Sequence, residues 1–110
     1  MGNIQNLEEI NIIKRNKIEQ GMKFVNEMDV GQPVIEKIIV FGSAIRGDCT
    51  EDSDIDLCIV SQYDDKNENY RNIRCRLMDE IDDVCDILTY KRLNNEFKSI
   101  VDDGVVVYER

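Results

Sequence analysis

Three short apolar runs, each closed off by polar or glycine-containing sequence, constrain the fold of this chain more than any other feature. Residues 34–41 (Val-Ile-Glu-Lys-Ile-Ile-Val-Phe), 54–60 (Asp-Ile-Asp-Leu-Cys-Ile-Val) and 84–90 (Val-Cys-Asp-Ile-Leu-Thr-Tyr) are rich in β-branched side chains and read as strands. Residues 105–108, after Gly104, give a fourth. Helical spacing fills the intervals. From Leu7 to about Met28, Ile10, Ile13, Ile18, Met22, Val25 and Met28 recur on one stripe, while Lys14, Arg15, Lys17 and Glu19 fall largely elsewhere. Gly21 weakens this helix by about 1 kcal/mol relative to Ala, and Gly31-Gln32-Pro33 ends it. Tyr70, Ile73, Leu77 and Ile81 mark a second helix, with Asp82 and Asp83 at its end. Leu93, Phe97, Ile100 and Val101 mark a short third. The order helix, strand, strand, helix, strand, helix, strand predicts an α/β (α+β) domain. Its sheet is small and mixed, of about four strands, with helices packed mainly on one face.

The 110 residues form a single domain, with an N-terminal helix over about 5–30 and a core over about 34–110. Composition agrees with a soluble globular fold: 42% hydrophobic and 34% charged residues. No apolar run approaches membrane-spanning length, and residues 1–10 lack the pattern of a signal peptide, so the expected compartment is cytoplasmic. Cys49, Cys58, Cys75 and Cys85 form no Cys-x-x-Cys pair, the chain has no His, and all four thiols are expected to be reduced. The net charge of −9 argues against direct nucleic-acid binding and favours a basic protein surface as partner.

Chemistry concentrates in three places. Phe41-Gly42-Ser43 ends one strand, Asp54-Ile55-Asp56 opens the next, and Asp86 interrupts the third. Residues two apart on a strand project from the same face, about 6.5–7 Å apart, so Asp54 and Asp56 point together while Ile55, Leu57 and Ile59 pack behind. Carboxylates that share an apolar setting repel as they lose water, and a divalent cation relieves this. If the third strand lies beside the second, Asp86 completes a three-carboxylate site suited to Mg²⁺ or Mn²⁺. Gly42 permits close backbone approach, and the Ser43 hydroxyl with neighbouring N–H groups can bind phosphate oxygens. Between Gly42 and Val60 the one basic residue, Arg46, faces Asp48, Glu51, Asp52, Asp54 and Asp56, so a bound triphosphate requires metal. The pattern points to two-metal phosphoryl or nucleotidyl transfer. A calcium-type loop is disfavoured, because Asp52 to Asp56 runs directly into Leu-Cys-Ile-Val.

Gly42-Ser43, ten intervening residues and then Asp54-x-Asp56 resemble the signature of the DNA polymerase β-like nucleotidyltransferase superfamily. The fuller string Phe-Gly-Ser-Ala-Ile-Arg-Gly-Asp-Cys-Thr-Glu-Asp-Ser-Asp-Ile-Asp-Leu is similar to its minimal nucleotidyltransferase (MNT) branch, as are Asp86 in Val-Cys-Asp-Ile-Leu and residues 100–108. The resemblance implies the polymerase β-like fold and a set of roles. Asp54 and Asp56 hold two Mg²⁺ ions, Asp86 completes the catalytic metal site, and Gly42, Ser43 and Arg46 bind the nucleotide. Ala44 departs from the large residue common at that position. Members of the branch act as antitoxins paired with HEPN-type toxins, some by transferring AMP from ATP to a toxin tyrosine. The implied activity is therefore Mg²⁺-dependent adenylyl transfer to a partner-protein hydroxyl within a hetero-oligomer.

Two other readings stand beside this one: a non-catalytic nucleotide-binding antitoxin acting by contact, and a small-molecule transferase of the aminoglycoside-modifying kind. Arg71, Arg74 and Arg76 read as a solvated helix face paired with nearby acids. Tyr63 and Tyr70 read as ordinary surface tyrosines.

Overall fold

A computed structural model describes residues 2–110. Its elements are β1 (Asn3–Ile4), α1 (Ile12–Met28), β2 (Lys37–Phe41), β3 (Ile55–Val60), α2 (Glu68–Ile81), β4 (Cys85–Thr89), α3 (Asn95–Asp102) and β5 (Val105–Glu109). Single 3₁₀ turns occupy Leu7–Glu9, Gly42–Ile45 and Tyr90–Arg92. The sheet runs β1-β5-β2-β3-β4. Every neighbouring pair is antiparallel except β3–β4, the parallel pair that α2 connects.

Alternation along the strands sorts two cores. Ile38, Val40, Ile55, Leu57, Ile59, Cys85 and Val107 pack under α1 and α2 with Ile18, Met22, Val25, Tyr70, Ile73, Leu77 and Ile81. On the other face Ile39, Phe41 and Cys58 meet Val101 of α3. Two helices thus cover one face and a short one the other, so the expected α/β arrangement holds. The strand count is five rather than four. Asn3 and Ile4 pair with Glu109 and Tyr108, a two-residue ladder ahead of the expected N-terminal helix.

An asparagine caps each helix. The side chains of Asn11, Asn67 and Asn94 accept from the N–H groups of Ile13, Tyr70 and Phe97, each cap contributing about 1 kcal/mol. Gly21 has a packing reason: a Cβ there lies 2.7 Å from Ile81 Cγ1 and 3.1 Å from Leu77 Cδ1, so its absence lets α1 approach α2. β2 begins later than its apolar run suggests. The N–H groups of Val34 and Ile35 donate to the buried Asp29 carboxylate at 2.8 and 2.9 Å instead of to a ladder.

Three side chains stand where the periodicity does not put them. Ile13 and Met28 belong to the α1 stripe yet are 43% and 42% exposed. Lys14, expected on the polar face, is 1% exposed. Tyr70, expected at the surface, is fully buried with its hydroxyl 2.7 Å from Thr89 Oγ1. Tyr63 does lie at the surface. Among the described residues all four cysteines are free, and no helix is long and apolar enough to cross a membrane.

Candidate active site

The site lies where β2 ends and β3 and β4 begin. Ile55, Leu57 and Ile59 point into the larger core, so Asp56 projects from the opposite face, the side of Phe41 and Cys58. It stands in a row across the sheet. Phe41 is its antiparallel partner on β2, and Asp86 its parallel partner on β4. The condition on which the third carboxylate depended, adjacency of the second and third strands, is therefore met. Asp54 immediately precedes β3 and is exposed, as is Asp86, while Asp56 is half-buried.

Gly42 follows Phe41 with φ +76°, and a Cβ built on it falls 2.3 Å from Asp56 Oδ2. Glycine is required twice here, for the left-handed backbone and for the space the carboxylate fills. The Gly42–Ile45 turn then places Ser43, whose hydroxyl donates to the Asp54 carbonyl at 3.4 Å. This links the two halves of the signature. Ala44 is buried against the larger core, and its carbonyl accepts from Asn11 N–H at 2.7 Å.

Arg46 is less tightly gathered. Its Nε lies 3.2 Å from Asp48 Oδ1 in a solvent-exposed pair, and this hydrogen bond holds the Asp48 carboxyl below its ordinary range. Partial burial pushes the Asp56 carboxyl up, and the charges of Asp86 and Asp54 push it further. Arg46 alone opposes them. Behind Asp86, burial raises the Cys85 thiol to about 12, and it raises Cys58 similarly, so both are neutral packing groups.

Among the described residues, no group of three or more acidic or cysteine side chains is gathered closely enough to hold a metal ion, so the three-carboxylate centre expected of Asp54, Asp56 and Asp86 is not assembled as such. The donors present are carboxylate oxygens arranged on an open edge. Mg²⁺ characteristically uses one or two carboxylates and keeps its other positions for water and substrate phosphates, so the set fits an open Mg²⁺ or Mn²⁺ site. The repulsion felt by Asp56 is what such an ion relieves.

The fold brings Gly42, Ser43, Asp54, Asp56 and Asp86, the residues singled out in the sequence, near one another. Sequence reasoning missed the support beneath them. Lys14 donates to the Glu51 carbonyl and to Asp83, bracing the segments that lead into Asp54 and Asp86. The spacing held a signal: Ile10, Lys14, Ile18 and Met22 follow one another at intervals of four, placing Lys14 in the buried row.

A family described as polymerase beta, nucleotidyltransferase, matches residues 23–110. A 30-residue stretch, 27% of this chain, is 63% identical to a Methanocaldococcus jannaschii protein assigned as a protein adenylyltransferase, and it spans 30% of that protein. Three solved structures share the fold. A toxin–antitoxin with AMP-PNP superposes with a TM-score of 0.63 at 21% identity, over 86% of this chain and 73% of that one. A mutant of the toxin–antitoxin MntA-HpeT gives 0.60 at 18%, over 86% and 72%. A protein assigned as a minimal nucleotidyltransferase gives 0.62 at 21%, over 92% and 94%.

Proposed function

The chain belongs to the polymerase beta nucleotidyltransferase family, and from that premise we propose that it transfers AMP from ATP to a hydroxyl of a partner protein, with Mg²⁺, as the antitoxin of a HEPN-type toxin. The observation that carries the reading is the row formed by Asp56 and Asp86 across β3–β4, with Gly42 giving room to the Asp56 carboxylate.

In this reading Asp54, Asp56 and Asp86 hold the metal, and Gly42, Ser43 and Arg46 hold the triphosphate. When bound, two Mg²⁺ ions neutralise the phosphates and acidify the acceptor hydroxyl. Asp86, on the exposed strand at the edge of the sheet, receives the hydroxyl proton. The acceptor oxygen forms a bond to the α-phosphorus, the α–β bridging P–O bond breaks, and pyrophosphate leaves. The Gly42–Ile45 turn orients the phosphates through its N–H groups and Ser43. Arg46 exchanges its Asp48 partner for phosphate oxygens.

The acceptor is supplied from outside. A net charge of −9 suits a basic partner, and such an enzyme acts in the cytoplasm beside its target. The M. jannaschii relative and the toxin–antitoxin neighbours support a protein acceptor. The test is incubation with α-labelled ATP and Mg²⁺ together with the product of the adjacent gene. Label on that protein, lost in Asp56→Asn and Asp86→Asn, is the expected result. Nucleotide binding without label, with those variants neutralising the partner as well as the parent does, selects contact inhibition instead. Label on an aminoglycoside but on no protein selects the small-molecule reading.

A further inference from the structure

The Lys14 side chain is almost wholly shielded from solvent. Its ammonium donates to the Glu51 carbonyl at 2.9 Å and to Asp83 Oδ2 at 2.7 Å. Glu51 stands three residues before Asp54, and Asp83 three before Asp86. The other Asp83 oxygen accepts from Val84 N–H at 2.7 Å, and the Val84 carbonyl accepts from Ile55 N–H at 2.9 Å. At the cap of the same helix, Asn11 N–H holds the Ala44 carbonyl beside Gly42-Ser43. Lys17 closes the corner, 3.5 Å from Asp83 Oδ2 and donating to the Asp82 carbonyl at 3.1 Å. The start of α1 therefore touches all three segments that supply the site.

A buried ion pair is an inefficient way to gain stability, since apolar residues of similar volume often do as well or better. What it adds is direction: two oxygens from distant segments are fixed to one nitrogen. We propose that Lys14 is a positioning residue for nucleotidyl transfer, setting the spacing between the Asp54-Asp56 segment and Asp86 from beneath the sheet edge. The proposal deepens the function proposed above and rests on it. The family match begins at residue 23, so Lys14 lies outside the matched region.

The test compares the parent with Lys14→Met and with the double variant Lys14→Met/Asp83→Asn. The single variant strands the Asp83 charge and lowers the melting temperature. The double variant removes that charge, keeps an acceptor for Val84 N–H, and recovers most of the melting temperature. Positioning predicts that kcat for label transfer stays down in both, by about a hundredfold, the scale of an ångström-sized misplacement, while the KM for ATP hardly moves. Return of kcat with stability in the double variant overturns the proposal and leaves Lys14 a purely structural residue.

Absence of label with the parent protein sinks the functional reading; whether Lys14 sets the spacing of the two segments is then read by amide hydrogen exchange. The expected result is faster exchange at Ile55 and Ser53 in the double variant, with Met22 and Leu77 unchanged. Unchanged exchange at Ile55 overturns it.

Discussion

Asp56 and Asp86 are direct partners across the parallel β3–β4 pair, and the charge of Asp86 adds to partial burial in raising the Asp56 carboxyl above its ordinary range. The pairing unites two demands that usually conflict. A metal site needs carboxylates close together, while an unliganded fold needs them apart. This fold places them at an open edge, where water bears part of the load.

Asp56→Asn should reduce label transfer by on the order of a thousandfold, the scale of losing a group that acts on developing charge. It should not reduce stability. A carboxyl whose folded pKa is raised opposes folding once it is ionised, so above the folded pKa the Asn variant should melt at or above the parent temperature. Scanning calorimetry at neutral pH and low magnesium, beside the transfer assay, checks both halves. A variant that is inactive and also melts much earlier contradicts this account.

Gly42→Ala tests the space beside Asp56. The left-handed backbone costs a non-glycine residue about 1–2 kcal/mol, and the new methyl meets the Asp56 carboxylate. Urea unfolding should register a loss of about that size or somewhat more. Transfer should fall much further, because the carboxylate has to move. Gly47→Ala is the control: φ there is ordinary, and nothing lies within 4 Å of an added Cβ.

The acid limb of stability should carry the signature of Asp83. Burial raises its carboxyl, but hydrogen bonds from Lys14 and Val84 and the charges of Lys14 and Lys17 outweigh burial and hold it below the ordinary carboxylate range. A depressed carboxyl contributes stability that is fully present above its unfolded value and is lost as pH falls through the folded one. Melting temperature should therefore drop more steeply below about pH 4 in the parent than in Asp83→Asn. Asp48 is also depressed but lies in solvent, so moderate salt should mute its share and leave that of Asp83.

Thiol labelling should separate the cysteines. Cys58 and Cys85 are buried with thiols pushed up to about 12, and Cys49 is also buried, whereas Cys75 is exposed on α2. Mass spectrometry after brief iodoacetamide treatment should find Cys75 modified alone in the folded protein and all four modified in urea. Modification of Cys85 under native conditions would mean that β4 opens readily.

The candidate site was legible because its residues break a local rule. Asp54, Asp56 and Asp86 stand out in apolar strands, and Gly42-Ser43 interrupts one at its end, so no knowledge of distant contacts is needed to notice them. Lys14 gives only a faint local cue, its place at intervals of four among Ile10, Ile18 and Met22. Its partners lie 37 and 69 residues away, and only the closed fold reveals them. Tyr70 is similar, since the acceptor that makes its burial affordable is Thr89 on β4. β1 was hidden for a third reason: two residues carry no periodicity, and their pairing exists only because β5 offers an edge. The five-stranded count thus depended on the end of the chain meeting its beginning.

The parallel pairing of β3 and β4 has a consequence for the order in which the chain becomes competent. β2 and β3 can zip as a hairpin-like unit, but β4 reaches β3 only after the α2 crossover has closed. A nascent or partly unfolded chain therefore holds Asp54 and Asp56 without Asp86. On the proposed reading, the carboxylate set is complete only once that crossover has closed, so a chain caught before it carries half a centre.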